Sequence, residues 1–253
     1  MVIELSKRPN LRIQITDRLF DAILRGELNP GDRIIENKLA RQLRVGQSTL
    51  REALQALEHQ GLITKMDNRG TFVTKLTAKD VEGMYMVRLE LEPLAAALTH
   101  KRLQSQHYAK LESLLMEMEA ARQNQDFIEL LKKDLAFHQF IWELADIPSL
   151  EKALNLVCAP LFAFYMIRLS PHSTADDLSR AADEFAEDHV LHLRLLDVLK
   201  SDDQELVRTT FRNTIQAFFR RTIEDLNNFG QTAAVGSTNK SSEAASGVSL
   251  QGD

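Results

Sequence analysis

Apolar residues along this chain recur at a helical period for most of its length and fall into a strand-like pattern only around residues 62–74. From about Leu11 to Arg25, the residues Ile13, Ile15, Leu19, Ile23 and Leu24 make one buried stripe, which predicts a helix. Gly26 stands where a left-handed residue closes it. Asn29-Pro30-Gly31-Asp32 is a turn signal, and Arg33-Ile34-Ile35 reads as a short strand. Two short amphipathic segments follow. The first carries Leu39, Ala40 and Leu43, and the second carries Leu50, Ala53, Leu54 and Leu57. They flank a break at Arg44-Val45-Gly46, where Gly46 is expected to supply the bend. Leu62–Met66 and Thr71–Thr74 then pair as strands across an Asp67-Asn68-Arg69-Gly70 turn.

After a short linker at residues 76–80 the pattern is helical throughout. Thr77 can cap a helix that reaches about Lys101, and Ser105 is expected to cap the next, to about Arg122. Asp126 opens a third helix, which Asp146-Ile147-Pro148 breaks. Leu150–Leu169 is strongly apolar, with Phe162, Phe164 and Tyr165 read as core. Residues 170–174 read as a loop, and helices over 175–200 and 204–228 complete the set. From Gly230 the chain loses its large apolar residues, which predicts disorder. The expected fold class is mainly α. A winged helix-turn-helix covers residues 1–76, an all-α bundle covers 77–229, and a disordered tail covers 230–253.

Charge sharpens this division. The net charge of −5 is unevenly spread: residues 1–75 hold 13 Lys and Arg against 9 Asp and Glu, a balance of +4, and the remainder is at −9. A basic end on an acidic body suits a polyanion at that end. No apolar run is long enough to span a membrane, and no leader-like segment opens the sequence, so a cytoplasmic location is expected. The single cysteine, Cys158, excludes an internal disulfide and reads as a small buried hydrophobe.

Two helices around a tight turn, followed by a hairpin, make a DNA-binding winged helix, in which the second helix enters the major groove. On that helix Gln47, Ser48, Thr49, Arg51 and Gln55 lie on or near the polar face, where they can meet base edges or phosphates. Arg69 and Gly70 sit at the hairpin tip, within reach of a minor groove. The alternative is an ordinary helical hairpin in a bundle.

The stretches ILRGELNPGDRI, LARQLRV, STLREALQALEHQGL and RGTFV resemble the N-terminal domain of the GntR family of bacterial transcription regulators. The resemblance implies DNA contacts by Arg41, Arg51 and Arg69. The family usually has Ser-Arg-Thr-Pro-Val where this chain has Gly46-Gln47-Ser48-Thr49-Leu50, so Gln47 replaces an Arg that reads a base. Bidentate Arg prefers guanine and bidentate Gln prefers adenine, so a different half-site is expected at that base.

In the bundle, Asp134 and His138 are four residues apart and leave one helix face together. They suit a divalent metal of zinc or nickel type, with His192 as a third ligand from across the bundle, or a plain metal-free pair. Arg88 follows Met84 and Val87 on a helix that faces the bundle, where it needs an anion. Glu92 one turn on, or a carboxylate effector, would serve. Arg168 is a second carboxylate candidate. The run Arg88-x-x-x-Glu92-Pro93-x-Ala95-Ala96, the Asp134–His138 pair and a His192 helix ending at Ser201-Asp202-Asp203 resemble the FCD effector domain of one GntR subfamily. That resemblance implies a metal held by one Asp and three His. The position of the last His is here Thr214, leaving Asn213 or His189 as the fourth ligand.

These features predict a homodimeric regulator, most simply a repressor. Its partners would be a double-stranded operator and a small carboxylate, and it would not be an enzyme. The competing readings are a metal-dependent hydrolase and a helical interaction module without DNA binding. The chain offers no phosphate-binding Gly loop, no GxSxG and no HExxH.

Overall fold

The computed structural model describes residues 11–168 and 175–242, with side-chain surroundings for 11–165 and 179–224. The first helix, α1 (Leu11–Leu24), buries Ile15, Leu19 and Ile23 against α3 (Gln47–His59), which answers with Leu50, Ala53, Leu54 and Leu57. Each such buried Leu or Ile side chain contributes about 1.5–3 kcal/mol. Between them lie β1 (Arg33–Ile34) and α2 (Glu36–Leu43). The hairpin is β2 (Ile63–Met66) and β3 (Gly70–Val73), paired so that Met66 faces Gly70. β1 joins the hairpin on the far edge of β3, giving an antiparallel sheet of order β1-β3-β2. Gly26 closes α1 with a φ of +70°, as expected.

The bend between α2 and α3 differs from expectation. Gly46 has an ordinary extended conformation, with φ −67° and ψ 146°. The left-handed residue is Arg44, at φ 54°. The amides of Arg44 and Val45 bond back to the carbonyls of Arg41 and Ala40, the two bonds that close a helix in the Schellman manner. Arginine therefore occupies a position that glycine would fill without strain, at a cost of about 1–2 kcal/mol.

The rest is helical: α4 (Ala78–Thr99), a 3-10 turn (His100–Arg102), α5 (Ser105–Gln123), α6 (Phe127–Leu144), α7 (Pro148–Arg168), α8 (Ala175–Val198) and α9 (Gln204–Ser242). Thr77 and Asp80 cap α4 reciprocally. Asp126 caps α6 and Asp203 caps α9. Ser105 is not the cap of α5. Gln104 holds that place, with its backbone amide donating to His107 Nδ1. Helix α9 continues to Ser242, into the stretch for which composition predicts disorder; residues 243–253 lie outside the described residues. Helix α4 packs on α9, α6 and α7, and α5 packs on α6 and α8. None of the described helices is long and apolar enough to cross a membrane.

The two parts meet along α7. Gly61, at φ +71°, follows the end of α3, and a Cβ built there would lie 2.8 Å from the Leu156 carbonyl oxygen and 3.0 Å from Pro160 Cγ. Pro160 has no N–H, so the Leu156 carbonyl lacks its helical donor and faces the glycine instead. Lys132 of α6 also pairs with Asp21 of α1 at 2.9 Å.

Candidate nucleic-acid interface and buried ligand cluster

The outward face of α3 carries Gln47, Ser48 and Arg51 in the open, with Thr49 half-buried. Gly46 provides no side-chain cap, so the first-turn amides of α3 have no capping partner from it, and such amides attract phosphate. Gln47 Nε2 donates to Asn37 Oδ1 at 2.9 Å, and Arg51 Nε donates to the Glu36 carboxylate at 2.9 Å. Arg41 is exposed on α2, its Nε donating to the Asn37 carbonyl. At the hairpin tip Asn68 takes φ 59° and Gly70 φ 105°, leaving Arg69 exposed. Two further cations join this surface without having been picked out from sequence. Arg33 lies against Gly70, its Nε 3.3 Å from a Cβ built there, and exposed Arg44 follows from its left-handed backbone. The only hint of either in the sequence is its charge beside a turn.

In the bundle, Asp134 and His138 of α6 and His192 of α8 converge as expected, and all three are buried. Asp134 Oδ1 lies 3.0 Å from His192 Nε2 and 3.3 Å from His138 Nε2, and the two imidazole nitrogens are 3.2 Å apart. Each ring is oriented from behind. His192 Nδ1 donates to the Asp188 carbonyl at 2.7 Å, and His138 turns Nδ1 to the Glu92 carboxylate. Both Nε2 atoms are thereby left as acceptors facing a carboxylate. Three lone pairs do not share so small a volume without a positive charge between them. Either His138 takes a second proton or a cation sits among the three. Burial opposes the proton, but Glu92 and Asp134 outweigh it and push His138 up to about 9. Burial likewise works against a charge on Asp134, and the two imidazoles overcome it to hold the carboxyl below its usual range. One hard carboxylate and two imidazoles, each ring fixed from behind by the Asp188 carbonyl or the Glu92 carboxylate, match the donor set of a divalent transition metal.

Glu92 joins this cluster to Arg88. Arg88 Nε donates to Glu92 Oε2 at 2.6 Å and Trp142 Nε1 donates to Glu92 Oε1 at 3.3 Å, all three groups being buried. Burial would raise the Glu92 carboxyl, but Arg88 and His138 bring it to about 2. Arg88 thus makes the internal ion pair, yet its Nη2 is buried without a hydrogen-bond partner. It borders a cavity of about 50 Å³ that Asp134, Phe162, Tyr165, Asp188 and Arg221 also line. Arg221 pairs with Asp188. Burial pushes Asp188 up to about 6, although Arg221 pulls the other way. Sequence reading missed Asp188, Arg221 and the second partnership of Glu92. Asp188 stands one helical turn before His192, which is a usable signal, whereas Arg221 carries none. Burial raises the Cys158 thiol, consistent with its reading as a small core residue.

The two substitutes for a fourth ligand do not join the cluster. His189 is not among the converging donors, and Glu119, His192 and Arg122 are the charged groups that act on it. Asn213 is exposed, whereas Thr214 is buried on the inner face of α9. The Arg168 side chain lies outside the described residues.

Comparison with known proteins accords with this geometry. The profile of bacterial regulatory proteins of the gntR family matches residues 11–73, and that of the FCD domain matches residues 83–217. The uncharacterised HTH-type transcriptional regulator YdhC of Bacillus subtilis (strain 168) is 33% identical over 155 residues, 61% of this chain and 69% of that protein. The Nta operon transcriptional regulator of Aminobacter aminovorans is 38% identical over 109 residues, 43% of this chain and 51% of that protein. A probable D-xylose utilization operon transcriptional repressor of Paenarthrobacter nicotinovorans is 25% identical over 90% of this chain and 95% of its own length. Among solved structures, E. coli McbR/YncC shares the fold at a TM-score of 0.66 and 24% identity, over 87% of this chain and 99% of that one. With both profiles matched on either side of Thr77, this chain belongs to the GntR family of bacterial transcription regulators, in the branch that carries an FCD domain.

Proposed function

We propose that this protein is a repressor that binds a pseudo-palindromic operator as a homodimer and is controlled by a small organic acid held in the bundle beside a divalent metal. The observation that carries the reading is the pairing of an outward, polar α3 with a buried donor cluster. Beside that cluster Arg88 lines the cavity, and its buried Nη2 has no hydrogen-bond partner. An unpartnered buried guanidinium nitrogen is costly, and a carboxylate in the cavity would satisfy it. A cavity of about 50 Å³ admits a few waters or the acid group of a small molecule. Repression is supported by the Paenarthrobacter relative, a probable transcriptional repressor. The acid acts by linkage: it favours one placement of the two winged helices and so changes operator affinity.

Two measurements test the halves separately. For DNA, Arg51→Ala is expected to cost about 1–3 kcal/mol of operator affinity. Gel shifts in which both Arg51→Ala and Arg69→Ala bind like wild type would reject the assignment of this surface. For the metal, Asp134→Ala combined with His138→Ala is expected to abolish bound zinc or nickel in elemental analysis after dialysis. Equal metal content in wild type and variant would make the cluster purely structural.

A further inference from the structure

The first turn of α2 reaches across to the first turn of α3 through a single side chain, Asn37. Its Oδ1 accepts the hydrogen bond from Gln47 Nε2, and its backbone carbonyl accepts one from Arg41 Nε at 3.1 Å. Between the two helices is a concave notch, walled by Asn37, Arg41, Arg44 and Gln47. Asn37 and Gln47 are both exposed, so neither serves the core.

We propose that Asn37 is a positioning residue for base readout, holding the Gln47 amide by one N–H so that its remaining edge is presented to an adenine. This rests on the DNA-binding reading above. A primary amide has two N–H groups and one oxygen. Bidentate recognition of adenine uses the oxygen, toward N6, and the N–H on the same side, toward N7. The remaining N–H, remote from the oxygen, is the one assigned to Asn37. Without that hold a glutamine on the surface samples three torsions and must be ordered when DNA binds, which weakens discrimination. With it, the readout edge is set before contact. The second outward group of α3 is treated alike, since Glu36, the neighbour of Asn37, holds Arg51. Because Arg41 bonds to the backbone of residue 37, replacing that side chain leaves the Arg41 contact in place. Base preference and general affinity can therefore be separated.

The test is selection from a randomised duplex library, run on the full chain as wild type, Gln47→Ala, Asn37→Ala and Asn37→Asp. Wild type is expected to enrich A at one position of each half-site by about tenfold over other bases. Gln47→Ala and Asn37→Ala should both flatten that same position to about twofold or less. For Asn37→Ala, binding to non-specific duplex and its salt dependence should be unchanged. Asn37→Asp keeps an acceptor, so it should retain the preference for A while binding all DNA more weakly. Full preference in Asn37→Ala, loss at a position different from that of Gln47→Ala, or failure of Asn37→Asp to retain it overturns the role of Asn37. A wild-type motif that Gln47→Ala leaves intact also overturns it, with DNA binding itself standing. A wild type that enriches no sequence overturns the reading on which it rests.

Discussion

Arg88→Ala is expected to lower the unfolding free energy by about 3 kcal/mol, the lower end for a broken buried ion pair. Arg88 and Glu92 are both buried, and Nε meets the carboxylate at 2.6 Å. Removing the guanidinium leaves a carboxylate in the centre of the bundle. His138 and Trp142 still face Glu92, which keeps the loss from reaching the upper end of the range. The variant also empties the space over the Phe162 ring, on which the guanidinium lies at 5.4 Å. Urea denaturation of the full chain measures the loss. The double replacement Arg88→Met with Glu92→Met should cost less than Arg88→Ala alone, because it leaves no unmatched charge from the pair. A loss below about 1 kcal/mol in Arg88→Ala would show that the carboxylate does not depend on this partner.

The second large effect lies at the junction. Gly61→Ala is expected to cost about 2–4 kcal/mol, combining a left-handed backbone at φ +71° with a methyl group 2.8 Å from the Leu156 oxygen. Gly46→Ala serves as the control. Its φ is ordinary and the nearest atoms to a new Cβ are 3.9 Å away, so it should cost less than about 1 kcal/mol. Calorimetry on the two variants side by side decides the matter. Equal transition temperatures would remove the significance of the Gly61 contact.

How far the fold could be read in advance depended on whether its cause was local. Leu50, Ala53, Leu54 and Leu57 announce one face of α3 because a helix repeats every 3.6 residues, and all four are buried. The Asp134–His138 pair was legible for the same reason, and His192 because an imidazole on a facing helix is a short list to search. Arg44 defeats such reading: a glycine two residues later looked like the natural bend, yet closing α2 requires the left-handed turn at residue 44 whatever its side chain. Gly61 was legible only in part. Its place after α3 marks a helix end, and the amides of Gly61 and Leu62 do bond back to the carbonyls of Glu58 and Leu57. That a carbonyl of α7 would press on it depends on an element almost a hundred residues away. Arg221 and the cavity side of Asp188 were invisible for the same reason.

Helix α7 touches both halves of the molecule within a short length. Leu161, Phe162 and Tyr165 wall the cavity, while Pro160 and the Leu156 carbonyl bear on Gly61. Most contacts between packed elements have slack, because a side chain can change rotamer and absorb a small displacement. A glycine against a carbonyl has no rotamer to change. A shift of α7 at the cavity wall therefore meets the end of α3 at a contact with no side-chain rotamer to absorb it. In mechanical terms the junction at α7 is a close-fitting bearing, and the smallest residue in the chain is what lets the two surfaces come so near.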